Sequence, residues 1–307
     1  MEDRTELSSN LDRVAALATA SRVSRLLANP ARYLSAQWHR HWTYRLTGRE
    51  RTVIARTFFD RPMQVNLPAG TDIFLTGGKS HDSEIRLARY LIRHLSPAGV
   101  FCDVGAHYGY FSLLAATLVG PLGKVVACEP APDTFLVLQA NTAGHPTVET
   151  RNIAVSDKPE RLTFFQFPNL YSEYNTLHPE QFAGEEWFAR QQPVEVEVAG
   201  HPLDDLWPEG GPTPDIVKID VEGAEDRVIR GMSRLLSGSA PAVILEFLCD
   251  ERDNSHHRIA EELLRSAGYL PHRIDETGGT VPLASVTDHL AGTGAESDNI
   301  VFLREPA

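Results

Sequence analysis

Short apolar runs alternate with helical patterns through the middle and the end of the chain. Each run is bounded by turn residues, and a stretch with apolar side chains at helical spacing usually follows. This alternation is typical of buried parallel strands joined by helices in an α/β sheet. Strands are predicted at residues 100–104, 124–128, 148–155, 215–221 and 242–247, one helix at 222–236, and closing strands at 269–274 and 299–303.

The chain before these runs has a different pattern. Apolar residues at near-helical spacing between Leu11 and Leu27 predict a helix that Pro30 interrupts, and a second helical stretch contains Trp38 and Trp42. We interpret these helices as a cap packed on the main domain, a lid over the substrate or a dimer contact. A membrane-surface helix is the least favoured interpretation.

Residues 52–76 alternate as in a short β-hairpin, and Ile73 to Leu75 are expected to lie in a strand. A helix start follows at Asp82. We therefore expect an N-terminal helical and β-hairpin extension at 1–80 and a main domain at 81–307.

An insertion rich in aromatic and polar residues interrupts the main domain at 158–210. Alternating segments near its two ends predict strands at 162–167 and 194–198, joined by a long loop. Loops of that length are uncommon and are often functional. On position alone, we expect the acceptor pocket to include Tyr171, Ser172, Tyr174 and Asn175.

Composition limits the possible partners and the compartment. The 307 residues carry a net charge of −12 and no lysine or arginine block, which argues against a nucleic-acid partner. Cys102, Cys128 and Cys249 lie in apolar runs without metal or disulfide spacing, which indicates core positions in a reducing, cytoplasmic setting. No apolar stretch is long enough to cross a membrane, and the first ten residues lack the apolar core of a signal peptide.

The sequence VFCDVGAHYGYFS, from Val100 to Ser112, predicts a strand, a glycine turn and a helix. Ligands of open α/β sheets bind beside such a turn, and Gly105 and Gly109 allow the backbone to approach a ligand closely. The spacing is not the Gly-x-Gly-x-x-Gly of pyrophosphate sites, and no Lys-Ser/Thr pair is present. Because Asp103 opens the loop, the ligand is expected to carry a positive amino group, as S-adenosylmethionine (SAM) does.

Acidic residues also end the other predicted strands. Glu129 is placed to bind two ribose hydroxyls, although it could instead cap a helix. Ser156 and Asp157 are candidates for the adenine end, with a turn cap as the alternative for Asp157. Asp220 ends a buried strand, where a carboxylate is costly unless it is paired or used, and Lys218 is its expected ion-pair partner.

Several motifs together resemble one family. DVGAHYGYFS, VVACEP followed by Asn141, AVSD, LDDL, KIDVEGAEDRVIRGM and ILEF resemble the FkbM-type SAM-dependent methyltransferases, over roughly residues 82–269. The resemblance implies the Rossmann-like class I methyltransferase fold, with a seven-stranded, mostly parallel sheet, an antiparallel final strand and helices on both faces. One departure is His107, where the turn often carries asparagine. The implied cofactor site comprises Glu84, Asp103, Gly105, Ala106, His107, Gly109, Tyr110, Phe111, Glu129, Pro130, Asn141, Ser156, Asp157 and Asp220.

The resemblance also implies a reaction. Members of this family look like O-methyltransferases of hydroxyls on sugars, polyketides and similar secondary metabolites, although carboxyl groups of small acids are also accepted. Asp220, Glu222 and Glu246 are expected to supply a base, or Asp220 and Glu246 to hold Mg²⁺ or another divalent cation that acidifies the acceptor. His107 is a further catalytic candidate. The expected partners are a small-molecule acceptor and a second copy bound through the N-terminal region.

Two functions of other classes stay open at this point. A nicotinamide-dependent oxidoreductase uses a similar sheet, although the missing Gly-x-Gly-x-x-Gly counts against it. A SAM-binding module without catalysis is the other alternative, and the Asp220 motif and the large insertion argue against it.

Overall fold

Helices form the N-terminal part of the protein. The computed structural model describes residues 4–185, 187–191, 193–250, 252 and 254–304, so residues 186 and 192 of the predicted insertion lie outside the described residues. Pro30 begins a helix at the position where its missing N–H is not needed, so it separates two helices as expected. The helices are α1 (Arg4–Thr19), α2 (Arg22–Ala28), α3 (Pro30–Trp38), a π-helical turn (His39–Thr43) and α4 (Tyr44–Thr47).

A hairpin and two helices lead into the main sheet. Strands β1 (Arg51–Arg56) and β2 (Pro62–Leu67) pair antiparallel, and α5 (Thr71–Thr76) and α6 (Asp82–His94) follow. The strand predicted at Ile73 to Leu75 is wrong, because these residues lie in α5. Three consecutive apolar residues carry no period, and here they form a short helix that Gly77 ends in the left-handed conformation.

The remaining elements build one large sheet and one small sheet. In chain order they are β3 (Val100–Val104), α7 (Tyr110–Val119), β4 (Lys124–Cys128), α8 (Pro132–Thr142), β5 (Val148–Arg151), β6 (Ala154–Val155), β7 (Glu160–Gln166), β8 (Val194–His201), β9 (Ile216–Ile219), α9 (Glu225–Arg230), α10 (Ser233–Ser237), β10 (Ala242–Leu248), α11 (Ser255–Ser266), β11 (Tyr269–Ile274), β12 (Thr280–Pro282), α12 (Val286–Thr293) and β13 (Ser297–Arg304).

The large sheet has the strand order β12-β11-β13-β10-β9-β3-β4-β5. Strands β3, β4, β5, β9 and β10 are parallel, and β13 inserts antiparallel between β10 and β11. This is the predicted class I arrangement of seven strands, with the short β12 added at one edge. The fold prediction is therefore confirmed.

Alternate residues of the central strands enter two separate cores. Phe101 and Ile244 pack with the apolar faces of α6 and α7, whereas Cys102 and Val243 pack with α9, α10 and α11 on the other face. Burial on both faces explains why these strands are continuous apolar runs in the sequence. Within the part of the chain that the structure describes, Cys102, Cys128 and Cys249 form no disulfide bond, and Cys249 is only half-buried. Among the described residues, no helix is both long and apolar enough to cross a membrane.

Two predicted elements are each divided in the structure. The strand expected at 148–155 ends as β5, and β6 joins β8 in the small sheet of β6, β7 and β8. The helix expected at 222–236 is two helices, α9 and α10, separated at Gly231. A Cβ on Gly231 would lie 2.0 Å from the carbonyl oxygen of Ser156, so close contact with the neighbouring segment requires glycine there.

Candidate active site

A cavity of about 600 Å³ lies at the carboxyl ends of β3, β4, β9 and β10. Strand β3 pairs with β4 on one side and with β9 on the other, so the strand order reverses at this point. Open α/β sheets bind ligands in the crevice at such a point. Helices α2 and α3 contribute side chains to the outer wall, and insertion residues 172–177 contribute another part.

The turn between β3 and α7 has a fixed backbone conformation. Gly105 and Gly109 have φ values of 80° and 87°, which glycine adopts without the Cβ clash of other residues. A Cβ on Gly105 would lie 1.7 Å from the carbonyl oxygen of Asp220. The N–H groups of Gly105 and Ala106 both donate to the carbonyl oxygen of Cys128 at 3.0 Å, which ties the turn to β4.

Asp103 lies beneath this turn and is buried. Its Oδ2 accepts a 2.6 Å hydrogen bond from Ser112, and Lys218 Nζ lies 3.6 Å from Oδ1. Burial raises the pKa of Asp103, and the charge of Lys218 opposes that effect. Asp103 thereby connects β3 with α7 and β9. Tyr110 and Phe111, in the first turn of α7, are buried beside it, and Lys218 Nζ lies 5.4 Å from the centre of the Phe111 ring.

Glu129 lies at the end of β4 with both carboxylate oxygens held by backbone groups. Its Oε2 accepts from the N–H of His107 and its Oε1 from the N–H of Ala131, each at 2.9 Å. Glu129 and Pro130 both line the cavity. Burial raises the pKa of Glu129 to about 7, against the effect of the two backbone hydrogen bonds. A carboxylate has about four acceptor sites, so two remain for hydroxyl protons of a ligand.

A second group of carboxylates lies at the ends of β9 and β10. Asp220, Glu222 and Glu246 each have an oxygen within 4.8 Å of the others. Lys218 Nζ donates to Asp220 Oδ2 at 3.1 Å, and Ser297 donates to Glu246 at 2.8 Å. Carboxylates at this spacing repel one another when ionised, so they share charge and protons. We call Asp220, Glu222 and Glu246 the acidic cluster.

The pKa values of the three carboxyls in the acidic cluster are shifted in different directions. Burial and then the charge of Asp220 push the pKa of Glu222 well above its usual value. Burial, Asp220 and Glu222 do the same to the pKa of Glu246. Burial also acts on Asp220, but Lys218 and hydrogen bonding outweigh it and lower the pKa of that carboxyl. Within the cluster, the pKa of Asp220 is thus lowered, whereas the pKa values of Glu222 and Glu246 are raised.

The insertion is attached to the acidic cluster through backbone contacts. The hydroxyl of Thr176 and the side-chain amide of Gln181 both donate to the carbonyl oxygen of Glu222. Glu222 has a φ of 52°, a left-handed conformation that non-glycine residues seldom adopt. Strained backbone of this kind persists where the surroundings hold it, and it occurs often at functional sites.

A half-buried lysine lies in another part of the cavity. Lys79 Nζ is 3.1 Å from Glu84 and 2.7 Å from Glu173, and burial raises the pKa of the neighbouring Asp72 to about 7. Sequence reasoning missed Lys79, Asp72 and Glu173, because no motif surrounds them. Glu84, predicted as a cofactor residue, lines the cavity as one of the partners of Lys79.

His107 extends from the glycine turn toward the insertion. Its Nε2 lies 3.0 Å from Ser172 Oγ, and its ring stacks on Tyr108. Burial lowers the pKa of His107 to about 4, so its imidazole is neutral near pH 7. His107 therefore carries no positive charge beside the glycine turn.

Three of the four predicted acceptor residues line the cavity: Ser172, Tyr174 and Asn175. Tyr171 stacks on Trp187 with ring centres 4.4 Å apart, and Tyr174 stacks on the same ring from 5.1 Å. The structure thus gathers the aromatic residues of the insertion around Trp187, at the side of the cavity.

Three predicted cofactor residues have other contacts in the structure. Asn141 donates to the carbonyl oxygens of Gln64 and Tyr108, at 2.9 and 2.8 Å, and so joins α8 to the hairpin. Ser156 donates to Glu160, and Asp157 accepts from Arg227 at 2.8 Å. The cavity wall at this end is apolar and consists of Ile153, Ala154, Val155, Phe164 and Leu177.

Comparison with known proteins agrees with this geometry. The model of the methyltransferase FkbM domain matches residues 103–271, which contain the glycine turn, Glu129 and the acidic cluster. The chain belongs to the FkbM methyltransferase family. The matched segment is thus a methyltransferase domain of this family.

Two relatives in the FkbM family match about half of this chain. The 31-O-demethyl-FK506 methyltransferase FkbM of Streptomyces tacrolimicus is 34% identical over 176 residues, 48% of this chain and 66% of that protein. Methyltransferase sdnD of Sordaria araneosa is 31% identical over 166 residues, 47% of this chain and 64% of that protein. The chain thus spans slightly less than two thirds of these two relatives.

A further relative and a solved structure also match this chain. Methyltransferase 1 of Beauveria bassiana is 30% identical over 182 residues, 54% of this chain and 70% of that protein. The crystal structure of the methyltransferase FkbM from Methylobacillus flagellatus is 15% identical and has a TM-score of 0.41, covering 76% of this chain and 52% of that one.

The residues of this FkbM-family protein fit SAM. Glu129 keeps free acceptor positions at the cavity surface, where ribose hydroxyls can donate. Gly105 packs against the carbonyl oxygen of Asp220 and lines the cavity, and the apolar wall around Phe164 suits a flat ring. Glu84 supplies a carboxylate for an ammonium group. SAM has a ribose, an adenine and a positively charged amino group, and these residues offer a suitable group for each of them.

Proposed function

We propose that this protein transfers a methyl group from SAM to a hydroxyl oxygen of a small molecule, such as a sugar, a polyketide or another secondary metabolite. The acidic cluster at the cavity floor carries this proposal. Bound SAM supplies an electrophilic methyl group on a sulfonium. The protein has to bind the acceptor, exclude water and remove the hydroxyl proton.

Asp220 is the group that we assign to the proton. Lys218 pairs with its carboxylate at 3.1 Å and lowers its pKa, whereas burial and the charge of Asp220 raise the pKa values of Glu222 and Glu246. In the reaction, the acceptor hydroxyl gives its proton to Asp220 and its oxygen forms the new bond to the methyl carbon. Bound SAM would supply that carbon and would keep the electron pair of the broken carbon–sulfur bond on its sulfur. General bases of this kind contribute about 10²- to 10⁴-fold to the rate.

The charge of the cavity favours a hydroxyl acceptor over a carboxylate. A carboxylate acceptor needs no base, and the ionised Asp220 would repel it at close range. A neutral hydroxyl meets no such repulsion and profits from the base. The relative from Streptomyces tacrolimicus is named for an O-demethylated compound, which supports the same choice.

A divalent cation is the alternative role of the acidic cluster. The oxygens of Asp220, Glu222 and Glu246 are near enough to hold one together. Lys218 already places a positive charge 3.1 Å from Asp220, so we prefer the base. Turnover that falls with EDTA and returns with Mg²⁺ would favour the cation instead.

We also propose that residues 1–80 act as a cap over the catalytic domain at 81–307. Arg22 and Arg25 of α2, Tyr33 and Gln37 of α3, and Arg40 of the π turn line the outer part of the cavity. A wall from this extension would exclude water from the reacting groups and limit the size of the acceptor.

The test uses Asp220→Asn with a panel of hydroxylated and carboxylated acceptors. Methylated product is measured by mass spectrometry, and SAM affinity by calorimetry. We expect turnover to fall about a hundredfold or more while SAM affinity changes less than about threefold. Asp205→Asn, at an exposed site, is the control. Unchanged turnover in Asp220→Asn would refute the base, and absence of any methylated product would favour a SAM-binding module.

A further inference from the structure

The N-terminal helices carry a row of large apolar side chains that face solvent. Leu34, Trp38, Trp42 and Leu46 recur at every fourth residue and are 60%, 65%, 58% and 79% exposed. The rings of Trp38 and Trp42 stack with their centres 5.8 Å apart. We call these four side chains the apolar row.

The π-helical turn keeps the apolar row together. Residues four apart drift around an α-helix, because one turn takes only about 3.6 residues. The turn at His39–Thr43 is wider, since its hydrogen bonds join residues five apart. Trp38 and Trp42 therefore stay above one another, as their stacking confirms.

The opposite face of these helices is attached to the protein. Ala36 and His39 are buried, and His39 Nε2 lies 3.3 Å from the carbonyl oxygen of Leu67. The hydroxyl of Tyr44 accepts a 3.3 Å hydrogen bond from the N–H of Leu170. The helices are thus fixed in orientation, and the apolar row stays on the outside. Contiguous exposed apolar surface of this kind marks an interaction site.

The arginines near the apolar row indicate the chemical class of its partner. Residues 22–49 contain six arginines and no lysine, aspartate or glutamate. Arg25 and Arg32 donate to backbone carbonyls of the protein. Within the described residues, the side chains of Arg45 and Arg49 make no hydrogen bond or ion pair and are exposed. The partner must therefore accept tryptophan and leucine side chains and also supply negative charge.

We propose that α2, α3, the π turn and α4 form a docking surface for an anionic lipid membrane. Tryptophan and leucine insert at the boundary between headgroups and acyl chains, and arginines bind the anionic headgroups. The charge of the whole protein supports one orientation. Residues 1–60 carry ten arginines and six acidic residues, or +4, which leaves −16 for the remainder of the −12 chain. The remainder is repelled by such a surface, and the extension is attracted.

A second copy of the chain fits this surface less well. A symmetric dimer through the apolar row would place the arginines of one copy against those of the other. The cavity is also relevant, because Arg22, Tyr33, Gln37 and Arg40 of the same helices line its outer part. Docking therefore brings the outer part of the cavity to the lipid surface.

Vesicle co-sedimentation of the full-length protein tests this proposal. The vesicles consist of phosphatidylcholine alone or with about one third phosphatidylglycerol. We expect binding only to the anionic vesicles, and its loss near about 0.5 M NaCl because salt screens the attraction. Trp38→Ser/Trp42→Ser and Arg45→Glu/Arg49→Glu should each lower the partition coefficient at least about tenfold. Leu122→Ser/Leu136→Ser, two exposed leucines outside these helices, should bind like the wild type.

The readouts separate this proposal from its alternatives. SAM affinity and thermal unfolding of each variant show that the protein is folded, and neither needs an acceptor or turnover. If wild type does not bind anionic vesicles, or if Trp38→Ser/Trp42→Ser binds them equally, the proposal is wrong. If light scattering shows a dimer that the tryptophan variant dissociates, without vesicle binding, the surface is instead a contact between two copies.

Discussion

Glu129 and the acidic cluster present the same chemical group in two different ways. Each oxygen of Glu129 accepts from one backbone N–H, so the orientation of its carboxylate is fixed by the fold. The carboxyls of Asp220, Glu222 and Glu246 face one another, with Lys218 as their cation. Backbone donors prepare a carboxylate to recognise hydroxyls, whereas neighbouring carboxyls and a lysine prepare it to accept or retain a proton. The difference supports our proposal that Glu129 binds the cofactor and that the acidic cluster transfers the proton.

The two ends meet at the glycine turn. Gly105 donates to the end of β4, next to Glu129, while its Cα faces the carbonyl oxygen of Asp220. A change at Gly105 should therefore affect both ends, and changes elsewhere should affect only one.

Gly105→Ala should have the largest effect. The new Cβ would lie 1.7 Å from the Asp220 carbonyl oxygen, in a backbone with a φ of 80° that alanine seldom adopts. We expect the free energy of unfolding to fall by about 3 kcal/mol, and SAM affinity to fall about a hundredfold because the turn has to move. Thermal unfolding and calorimetric titration measure the two effects. Gly144→Ala is the control, since its Cβ meets no atom within 4 Å. Near-normal SAM binding in Gly105→Ala would show that the ends do not depend on this contact.

Glu129→Ala should weaken SAM binding by about tenfold or more. The change removes the acceptor of the ribose hydroxyls and leaves the N–H groups of His107 and Ala131 unpaired. Calorimetric titration with SAM measures the loss. The control is Glu149→Ala, because Glu149 forms a half-exposed pair with Lys124 on the neighbouring strand and such pairs contribute little. If both variants bind SAM equally well, Glu129 has no role in the ribose site.

Glu246→Gln should stabilise the protein at high pH. Burial, Asp220 and Glu222 raise the pKa of Glu246, so its contribution to stability is complete below the unfolded pKa and is lost as the pH rises through the folded pKa. Glutamine resembles the protonated form at every pH. We therefore expect a gain of about 1 kcal/mol in the free energy of unfolding at about pH 8, which shrinks toward about pH 5.

Urea unfolding at a series of pH values measures this effect. Glu195→Gln, at an exposed position of β8, should show the same small difference from wild type at every pH. A gain in Glu246→Gln that does not depend on pH would contradict the proposed sharing of protons.

The large sheet could be predicted from the sequence because its physical cause is local. Strands buried on both faces are continuous apolar runs, and the two glycines at 105 and 109 mark the turn that follows β3. The division of the 222–236 helix could not be predicted, because it depends on contact between Gly231 and Ser156. Ile73 to Leu75 were wrongly expected in a strand, because three apolar residues fit either period.

The same distinction applies to the site. Glu129 and Asp220 follow predicted strands directly, so the topology alone brings them to one edge of the sheet. Lys79 and Glu173 are 94 residues apart, and no local pattern indicates that they form an ion pair. The arginines of α2 and the π turn reach the cavity only through the packing of the extension. Contacts between distant segments were therefore the part that the sequence did not reveal.

His107→Asn should have the smallest effect. His107 has a φ of 48°, and asparagine is among the residues that adopt this conformation most readily. Burial lowers the pKa of His107 to about 4, so the substitution removes no charge near pH 7. The backbone N–H that donates to Glu129 is kept, and the contact with Ser172 and the stacking on Tyr108 are lost. We expect SAM affinity within about threefold of wild type, a change of at most about 1 kcal/mol in stability, and an unchanged pH profile of turnover between about pH 6 and 8. A profile that loses a titration step in this range would instead assign His107 a proton-transfer role, and the acidic cluster would no longer act alone.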